Sequence, residues 1–160
     1  KNNSWNYSQN SFSGNSMNVT EKNEKAIKGI LKRSKFIKDI SFIPSFMMPE
    51  EKTIRNLRDT AALFQADLLL IIQSRSIMEF DTNLLANNEA KATASIEAIM
   101  VDVLTGVVPY TALTKGTHHT KRTYGKDKDF SNEELKRRTA ISAEENAFSK
   151  LAEDVGVYFN

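Results

Sequence analysis

The fold is decided by two runs of sequence, A-L-F-Q-A-D-L-L-L-I-I-Q-S-R-S at residues 62–76 and A-S-I-E-A-I-M-V-D-V-L-T-G at residues 94–106. The first run predicts a helix that ends at Phe64-Gln65, followed by a buried strand that is apolar on both faces. The second run alternates between its two faces and reaches Thr105-Gly106. It predicts a long antiparallel hairpin with a tight turn at those two residues.

The residues before this region predict a strand and a helix that lead into it. The segment F-I-K-D-I-S-F-I-P alternates at period two, which predicts a strand over Phe36–Ile43 that ends at Pro44. Pro49 then stands near the start of a helix, where proline is favoured. A strand, a helix and a second strand in this order predict a right-handed parallel crossover between 36–43 and 67–76.

The second half of the chain predicts two long strands, a loop and a final helix. The strands are expected at Lys91–Val103 and Val107–Gly116, and a polar, basic loop at Gly116–Asp129. Ser131 and Glu134 have the spacing of a capping box at the start of the helix. The remaining helix signals are the staple pair Phe130 and Leu135, the apolar face Ile141, Phe148, Leu151 and Val155, and the closing residue Gly156.

The elements together predict an α/β protein of the α+β type. We expect a mixed sheet of about four strands with a parallel βαβ crossover and a long β-hairpin in the C-terminal half. The helices are expected to pack mainly on one face of the sheet. Residues 18–160 have the length of one domain. Residues 1–17 are rich in Asn and Ser, which is typical of a tether, although Trp5, Tyr7 and Phe12 could instead dock on the domain.

Composition excludes several kinds of chemistry. The 160 residues include no Cys, so disulfides, thiol catalysis and thiolate metal sites are excluded. The six glycines form neither a G-x-G-x-x-G nor a Walker pattern, and Ser74 and Ser76 lie in no G-x-S-x-G elbow. We therefore expect no enzymatic activity and no cofactor. The formal charge of +2 is too small to indicate a nucleic-acid or membrane partner by itself.

Two pairs of residues carry groups that could take part in chemistry. His118 and His119 are adjacent, so on a strand they point to opposite faces and cannot share one metal ion without a bend. We expect no metal site there. Asp67 and Asp102 stand at predicted strand ends, where two acids could share general acid–base work. A carboxylate in such a position more often caps a turn, which is the interpretation that we favour.

A basic region between Lys115 and Arg138 contains eight Lys or Arg residues against four acidic residues. Such a region could meet RNA, anionic lipid or an acidic protein surface, although a solvated loop is the more frequent explanation. No RRM signature supports the RNA interpretation. The residues proposed for partner binding are Lys121, Arg122, Tyr124, Lys126 and Lys128.

Two motifs carry a resemblance to a group of bacterial envelope lipoproteins. The motifs are F-Q-A-D-L-L-L-I-I-Q-S-R-S at 64–76 and A-S-I-E-A-I-M-V-D-V-L-T-G-V-V at 94–108. They resemble the "L-x-A-D-x-x-L" and "V-D-x-x-T-G-x-V" strands of the curli-secretion lipoprotein CsgG, the TolB amino-terminal domain and the penicillin-binding-protein activator LpoB. The segment F-I-K-D-I-S-F-I-P-S-F-M at 36–47 is similar to that of the rhombotarget lipoproteins. The group's lipid-bearing Cys has no counterpart here, and its first strand would have to come from residues 1–16.

The resemblance implies a non-enzymatic, periplasm-facing lipoprotein domain that acts by protein–protein contact. We expect it to be held at the outer membrane by a lipid anchor upstream of Lys1. The expected partner is another envelope protein or a second copy of the chain, through the outward face of the hairpin at 91–116 and the basic loop at 121–128. The alternative is a cytoplasmic RNA-binding module that uses the region Lys115–Arg138, with binding that weakens steeply as salt rises.

Overall fold

One antiparallel sheet organises the chain. The computed structural model describes residues 5–7, 25, 27–29, 31–32, 34–81, 88–122 and 131–159. Within these residues the sheet has the order β1-β2-β3-β4. Its strands are β1 (Trp5–Tyr7), β2 (Leu68–Asp81), β3 (Asn88–Asp102) and β4 (Tyr110–Arg122), and the helices are α1 (Ile54–Leu63), α2 (Asn132–Tyr158) and a 3-10 turn at Ser45–Met47. Residues 25, 27–29 and 31 are also helical.

Three long strands make most of the sheet. β2 pairs with β3 from Leu68↔Asp102 to Asp81↔Glu89, and β3 pairs with β4 without interruption of the register. β1 adds three pairs beside residues 76–78 of β2, so part of the Asn/Ser-rich start of the chain is a short edge strand. Every pairing is antiparallel. The predicted hairpin, its turn at Thr105-Gly106 and the α+β class are confirmed, whereas the predicted mixed sheet is wrong.

The predicted strand at 36–43 is not formed, and its side chains show why. Ile37 and Ile40 pack against the core that lies between the sheet and α2. Ile43 packs with Leu57 and Leu69 in a second cluster on the opposite face of the sheet. The segment therefore crosses from one face of the sheet to the other instead of lying beside a strand. The parallel crossover that we predicted between this segment and β2 consequently does not exist.

Small side chains on β3 and β4 bring α2 close to the sheet. The even-numbered residues in the middle of β3 face α2, and none is more than 2% exposed: Ala90, Ala92, Ala94, Ile96, Ala98 and Met100. On β4, a β-carbon added to Gly116 would collide with the backbone of Ala143 and Ala147 in α2. The hydroxyl of Thr114 donates to the Ala147 carbonyl oxygen at 2.9 Å. The sequence of these two strands thus sets the distance between helix and sheet.

The final helix begins as predicted but ends later. Ser131 Oγ accepts a hydrogen bond from the Glu134 amide at 3.1 Å, which confirms the cap. Phe130, the other half of the proposed staple, lies outside the described residues. The helix continues through Gly156 to Tyr158 because the Tyr158 ring packs at 4.9 Å from that of Tyr110 on β4. Packing against the sheet here outweighs the weak helix preference of glycine.

The helices occupy both faces of the sheet. α2 and the helical residues Ile27 and Leu31 cover one face, which we call the α2 face. α1 lies on the other face, at one end, where Leu57 and Ala61 pack on Leu69. Along the rest of that second face, no helix of the described residues packs on the sheet. The prediction that helices pack mainly on one face therefore holds, with α1 as the helix on the other face.

β4 is longer than the sequence indicated. It continues to Arg122, so the first part of the predicted loop at 116–129 belongs to the sheet. His119 and Lys121 sit on the exposed face of this extension, where both reach Glu89 on β3. These cross-strand pairs explain why a run of polar residues remains in a strand. None of the helices in the described ranges has the length and hydrophobicity to span a membrane.

Candidate functional site

The two candidate acids have structural contacts in the hairpin. The amide and the hydroxyl of Thr105 both donate to Asp102 Oδ1, at 2.6 and 2.8 Å. These hydrogen bonds, with Arg58 nearby, lower the pKa of Asp102 below its ordinary value. The Asp67 carbonyl oxygen accepts from the Val103 amide at 2.9 Å. Asp102 therefore caps the turn, as the favoured interpretation predicted.

The two histidines lie on opposite faces of β4, as predicted. The register places His118 beside Ala92 on the α2 face and His119 beside Lys91 on the exposed face. His119 Nε2 lies 3.1 Å from Glu89 Oε2, and Lys121 Nζ lies 2.7 Å from Glu89 Oε1. The hydrogen bond from Lys121 is the main cause of a lowered pKa for Glu89. In the described ranges, no three His, Asp or Glu side chains form a cluster suited to a metal ion.

The cations proposed for partner binding are only partly within the described residues. Lys121 is paired with Glu89. Arg122 is the last residue of β4, and its side chain is not among those that the structure describes. Tyr124, Lys126 and Lys128 lie outside the described residues altogether. Their role in partner binding stays a prediction.

The cations of the basic region that lie in α2 form ion pairs with acidic residues of the same helix. Lys136 Nζ lies 2.9 Å from Glu133, while Arg137 and Arg138 both bind Glu134 at 2.8 and 2.7 Å. The hydrogen bonds from Arg137 and then Arg138 lower the pKa of Glu134 to about 2. The positive charge at the start of α2 is therefore largely compensated by its own helix.

The end of the sheet at the β3–β4 turn is unusually apolar. The start of β2 lies beside the turn because Leu68 pairs with Asp102. Helix α1 is held to the same turn because Arg58 donates hydrogen bonds to the carbonyl oxygens of Val103 and Leu104. We call this surface the turn end. Its exposed hydrophobic side chains, with exposed fractions from 41% to 88%, are Leu63, Leu68, Leu104, Val107 and Val108.

The opposite end of the sheet carries charged side chains in pairs. Lys91 lies 3.9 Å from Glu79, and Glu89 binds both His119 and Lys121. Such exposed pairs contribute little to stability, but they keep this end polar. The two ends of the sheet thus differ: the turn end exposes five large hydrophobic side chains, and the opposite end exposes charged side chains in pairs.

A shallow, open depression of about 420 Å³, which we call the cleft, lies where β4 begins and α2 ends. Its walls are Tyr110, Thr111, Ala112 and Leu113 on the strand and Asp154, Val157 and Tyr158 on the helix. Val157 and Tyr158 are 77% and 45% exposed, so the helix side of the cleft presents apolar surface to solvent. Burial raises the pKa of Tyr110, whose buried hydroxyl has no hydrogen-bond partner within the described residues.

The free edge of β4 is covered along only part of its length. Lys150 Nζ donates to the Lys115 carbonyl oxygen at 2.7 Å, and Asn146 Nδ2 donates to the Thr117 carbonyl oxygen at 3.1 Å. Both acceptors belong to odd-numbered residues, so the odd-numbered backbone groups of β4 point away from β3. No side chain of the described residues binds the corresponding groups of Thr111 and Leu113 in this way. Among the residues that the structure describes, the start of β4 is therefore an open edge.

Sequence reasoning did not predict the turn end or the cleft as functional surfaces. We placed the contact surface on the outward face of the hairpin and on the basic loop, because alternation and charge are visible in a linear sequence. The cleft depends on α2 continuing beyond Gly156, so that Val157 and Tyr158 reach β4. The apolar residues of V-Y-F at 157–159 were the available signal.

Comparison with known proteins shows a similarity in structure but none in sequence family. No protein-family model matches the sequence, and a search of curated proteins finds no match. The chain is similar in structure to a crystal structure described as "a putative lipoprotein from Caulobacter crescentus". The TM-score is 0.40 and the sequence identity 11%, over 86% of this chain and 97% of the other. A similarity of this size carries no argument about function.

Proposed function

We propose that this chain is a non-enzymatic domain of the bacterial cell envelope that acts by protein–protein contact, and that the turn end is its docking surface. The observation that carries the proposal is the group of five large hydrophobic side chains exposed at one end of the sheet. Large hydrophobic side chains that are exposed at one end of a sheet are costly in water, and groups of them often mark a site where another molecule binds.

The location in the envelope rests on the sequence motifs that resemble the CsgG, TolB and LpoB group. The proposal therefore includes a periplasm-facing domain that is held at the outer membrane by a lipid anchor upstream of Lys1. Incorporation of labelled palmitate by the complete precursor in its native host, followed by membrane fractionation, tests this part. An unlabelled product in the cytoplasm would contradict it and would favour the RNA-binding alternative.

The ion pairs of the basic region favour protein contact over RNA binding. Lys121, Lys136, Arg137 and Arg138 each lie within 2.9 Å of a carboxylate. A phosphate backbone would have to displace these carboxylates before it could gain the same contacts. RNA binding through Lys126 and Lys128 remains the alternative prediction.

Site-specific photocrosslinking tests the docking surface. A photoreactive phenylalanine analogue replaces Leu104, which is 88% exposed, in the complete protein expressed in its native host. The matched control carries the same analogue at Glu79, at the charged end of the sheet. We expect a discrete protein adduct from position 104 and none from position 79. Adducts of equal yield from both positions, or none from either, would overturn the proposal.

A further inference from the structure

The open start of β4 has the hydrogen-bonding pattern of an unfinished sheet. Because the register of β3 and β4 is continuous, the amide and carbonyl groups of Thr111 and Leu113 point outward, as those of Lys115 and Thr117 do. An added strand could bond to all four groups of Thr111 and Leu113. Such an edge is a template for another extended chain unless it is covered.

The length available to an incoming strand is limited by α2. Lys150 and Asn146 occupy the outward carbonyl groups of Lys115 and Thr117, so an added strand meets these side chains after Leu113. The open stretch is therefore the four residues 110–113. A segment of four to six residues is also the ordinary length of a short strand.

The cleft beside this stretch supplies the features that would select a sequence. Val157 and Tyr158 of α2 present apolar surface, and Asp154 adds one carboxylate to the same wall. Along an added strand, alternate side chains would point toward the cleft. Apolar side chains at these positions would be buried by Val157 and Tyr158, and a neighbouring cation would meet Asp154.

We propose that the edge at 110–113 and the adjoining cleft bind an extended segment of a partner protein by strand addition. The segment has alternating apolar side chains and a Lys or Arg that pairs with Asp154. Main-chain hydrogen bonds would provide affinity, and the cleft would provide specificity. This inference rests on the proposed function, since it assumes that the partner is a protein, and it adds a second contact beside the turn end.

A second copy of the chain fits this edge less well. Two β4 strands that pair about a twofold axis at residues 110–113 would bring the two copies of Asp154 to the same junction. Like charges at one site oppose association. A partner segment with a cation at that position instead gains an ion pair.

Selection from a phage-displayed library of random twelve-residue peptides tests the inference. Enriched peptides are synthesised with a fluorescent label, and their affinity for the purified chain is measured by anisotropy. Thr111→Pro removes an outward N–H without removing a bond to β3, so an edge strand can tolerate it. Thr111→Val, which keeps the N–H, is the matched control, and circular dichroism checks that both variants fold.

We expect enriched peptides with alternating apolar residues and a Lys or Arg. Thr111→Pro should weaken their binding about tenfold, whereas Thr111→Val should change it less than about twofold. A charge reversal, Asp154→Lys, provides a readout that does not depend on the proline variant. Selection on that variant should replace the basic residue of the peptides with an acidic one.

Three outcomes would overturn strand addition. In the first, the selection enriches no peptides. In the second, the enriched peptides bind Thr111→Pro as tightly as the unchanged chain. In the third, Asp154→Lys still selects peptides with a basic residue. A concentration-dependent dimer that Thr111→Pro abolishes in analytical ultracentrifugation would replace the partner segment by a second copy. If crosslinks from position 104 persist while peptide selection fails, only strand addition is wrong. If both fail, the proposed function is wrong as well.

Discussion

The guanidinium group of Arg58 lies against Gly106, so that a β-carbon added to Gly106 would come within 2.7 Å of Arg58 Nη1. The same side chain donates from Nε to the Val103 carbonyl oxygen at 2.9 Å and from Nη2 to that of Leu104 at 2.8 Å. A single residue of α1 therefore fastens the turn of the hairpin. Gly106 has a φ of 76°, a backbone conformation that glycine adopts without strain.

Replacing Arg58 should loosen this turn. Arg58→Ala removes two hydrogen bonds from a charged donor, and we expect the free energy of unfolding to fall by about 1–2 kcal/mol. Urea denaturation followed by circular dichroism measures the change. Arg55→Ala, an exposed arginine on the same helix, is the control and should change stability by less than about 0.5 kcal/mol. Similar losses for the two variants would show that Arg58 contributes only through helix propensity.

The close contact between α2 and β4 makes Gly116 intolerant of a side chain. Gly116→Ala places a methyl group against the Ala143 carbonyl oxygen and the Ala147 amide, which are backbone atoms that cannot move aside. We expect a loss of about 3 kcal/mol or more, measured by thermal or urea unfolding. Gly29→Ala is the matched control, because a methyl group there meets no atom within 4 Å. It should raise stability by about 0.5–1 kcal/mol through helix propensity. Equal effects would contradict the packing described here.

The end of α1 contains a residue in an unfavourable backbone conformation. Gln65 has a φ of 55°, and its amide and that of Ala66 bond back to Ala62 and Ala61, which is the Schellman pattern. The left-handed conformation costs a residue with a side chain about 1–2 kcal/mol, and glycine avoids this cost. Part of the benefit is lost because glycine gives up more backbone entropy on folding. Gln65→Gly should therefore raise the free energy of unfolding by about 0.5–1 kcal/mol. Gln65→Ala keeps the strain and serves as the control. A lower stability of the glycine variant would contradict the prediction.

The ion pairs of Glu134 should make the free energy of unfolding decrease as the pH falls in the acid range. Arg137 and Arg138 lower the pKa of this carboxylate from 4.5 to about 2 in the folded protein. Because the folded pKa lies below the unfolded value, the contribution is present above about pH 4.5 and is lost as the pH falls toward 2. The change is measured as the melting temperature between those pH values. Glu134→Gln should reduce the fall in melting temperature toward acid pH, whereas Glu133→Gln should leave that fall unchanged. An unchanged slope in Glu134→Gln would contradict the role of these pairs.

Local patterns in the sequence predicted local structure well. The hairpin with its turn at Thr105-Gly106, the end of α1 at Phe64-Gln65 and the Ser131 cap each depend on neighbouring residues, and all three are confirmed. The segment at 36–43 failed because alternation cannot show that Ile40 and Ile43 contribute to different clusters on opposite faces. The turn end and the cleft were missed because they bring together residues distant in sequence.

The hydroxyl of Ser34 donates to the carbonyl oxygen of Phe159 at 2.9 Å, across a separation of 125 residues. During synthesis from the N-terminus, the hairpins of β2, β3 and β4 can form as soon as their strands are available, since their pairings are between sequence neighbours. The hydrogen bond of Ser34 cannot form until Phe159, at the end of α2, is present. Before that moment the growing chain lacks α2, so the small residues of β3 remain uncovered. The sheet is therefore most exposed to aggregation in the interval between completion of β4 and formation of α2.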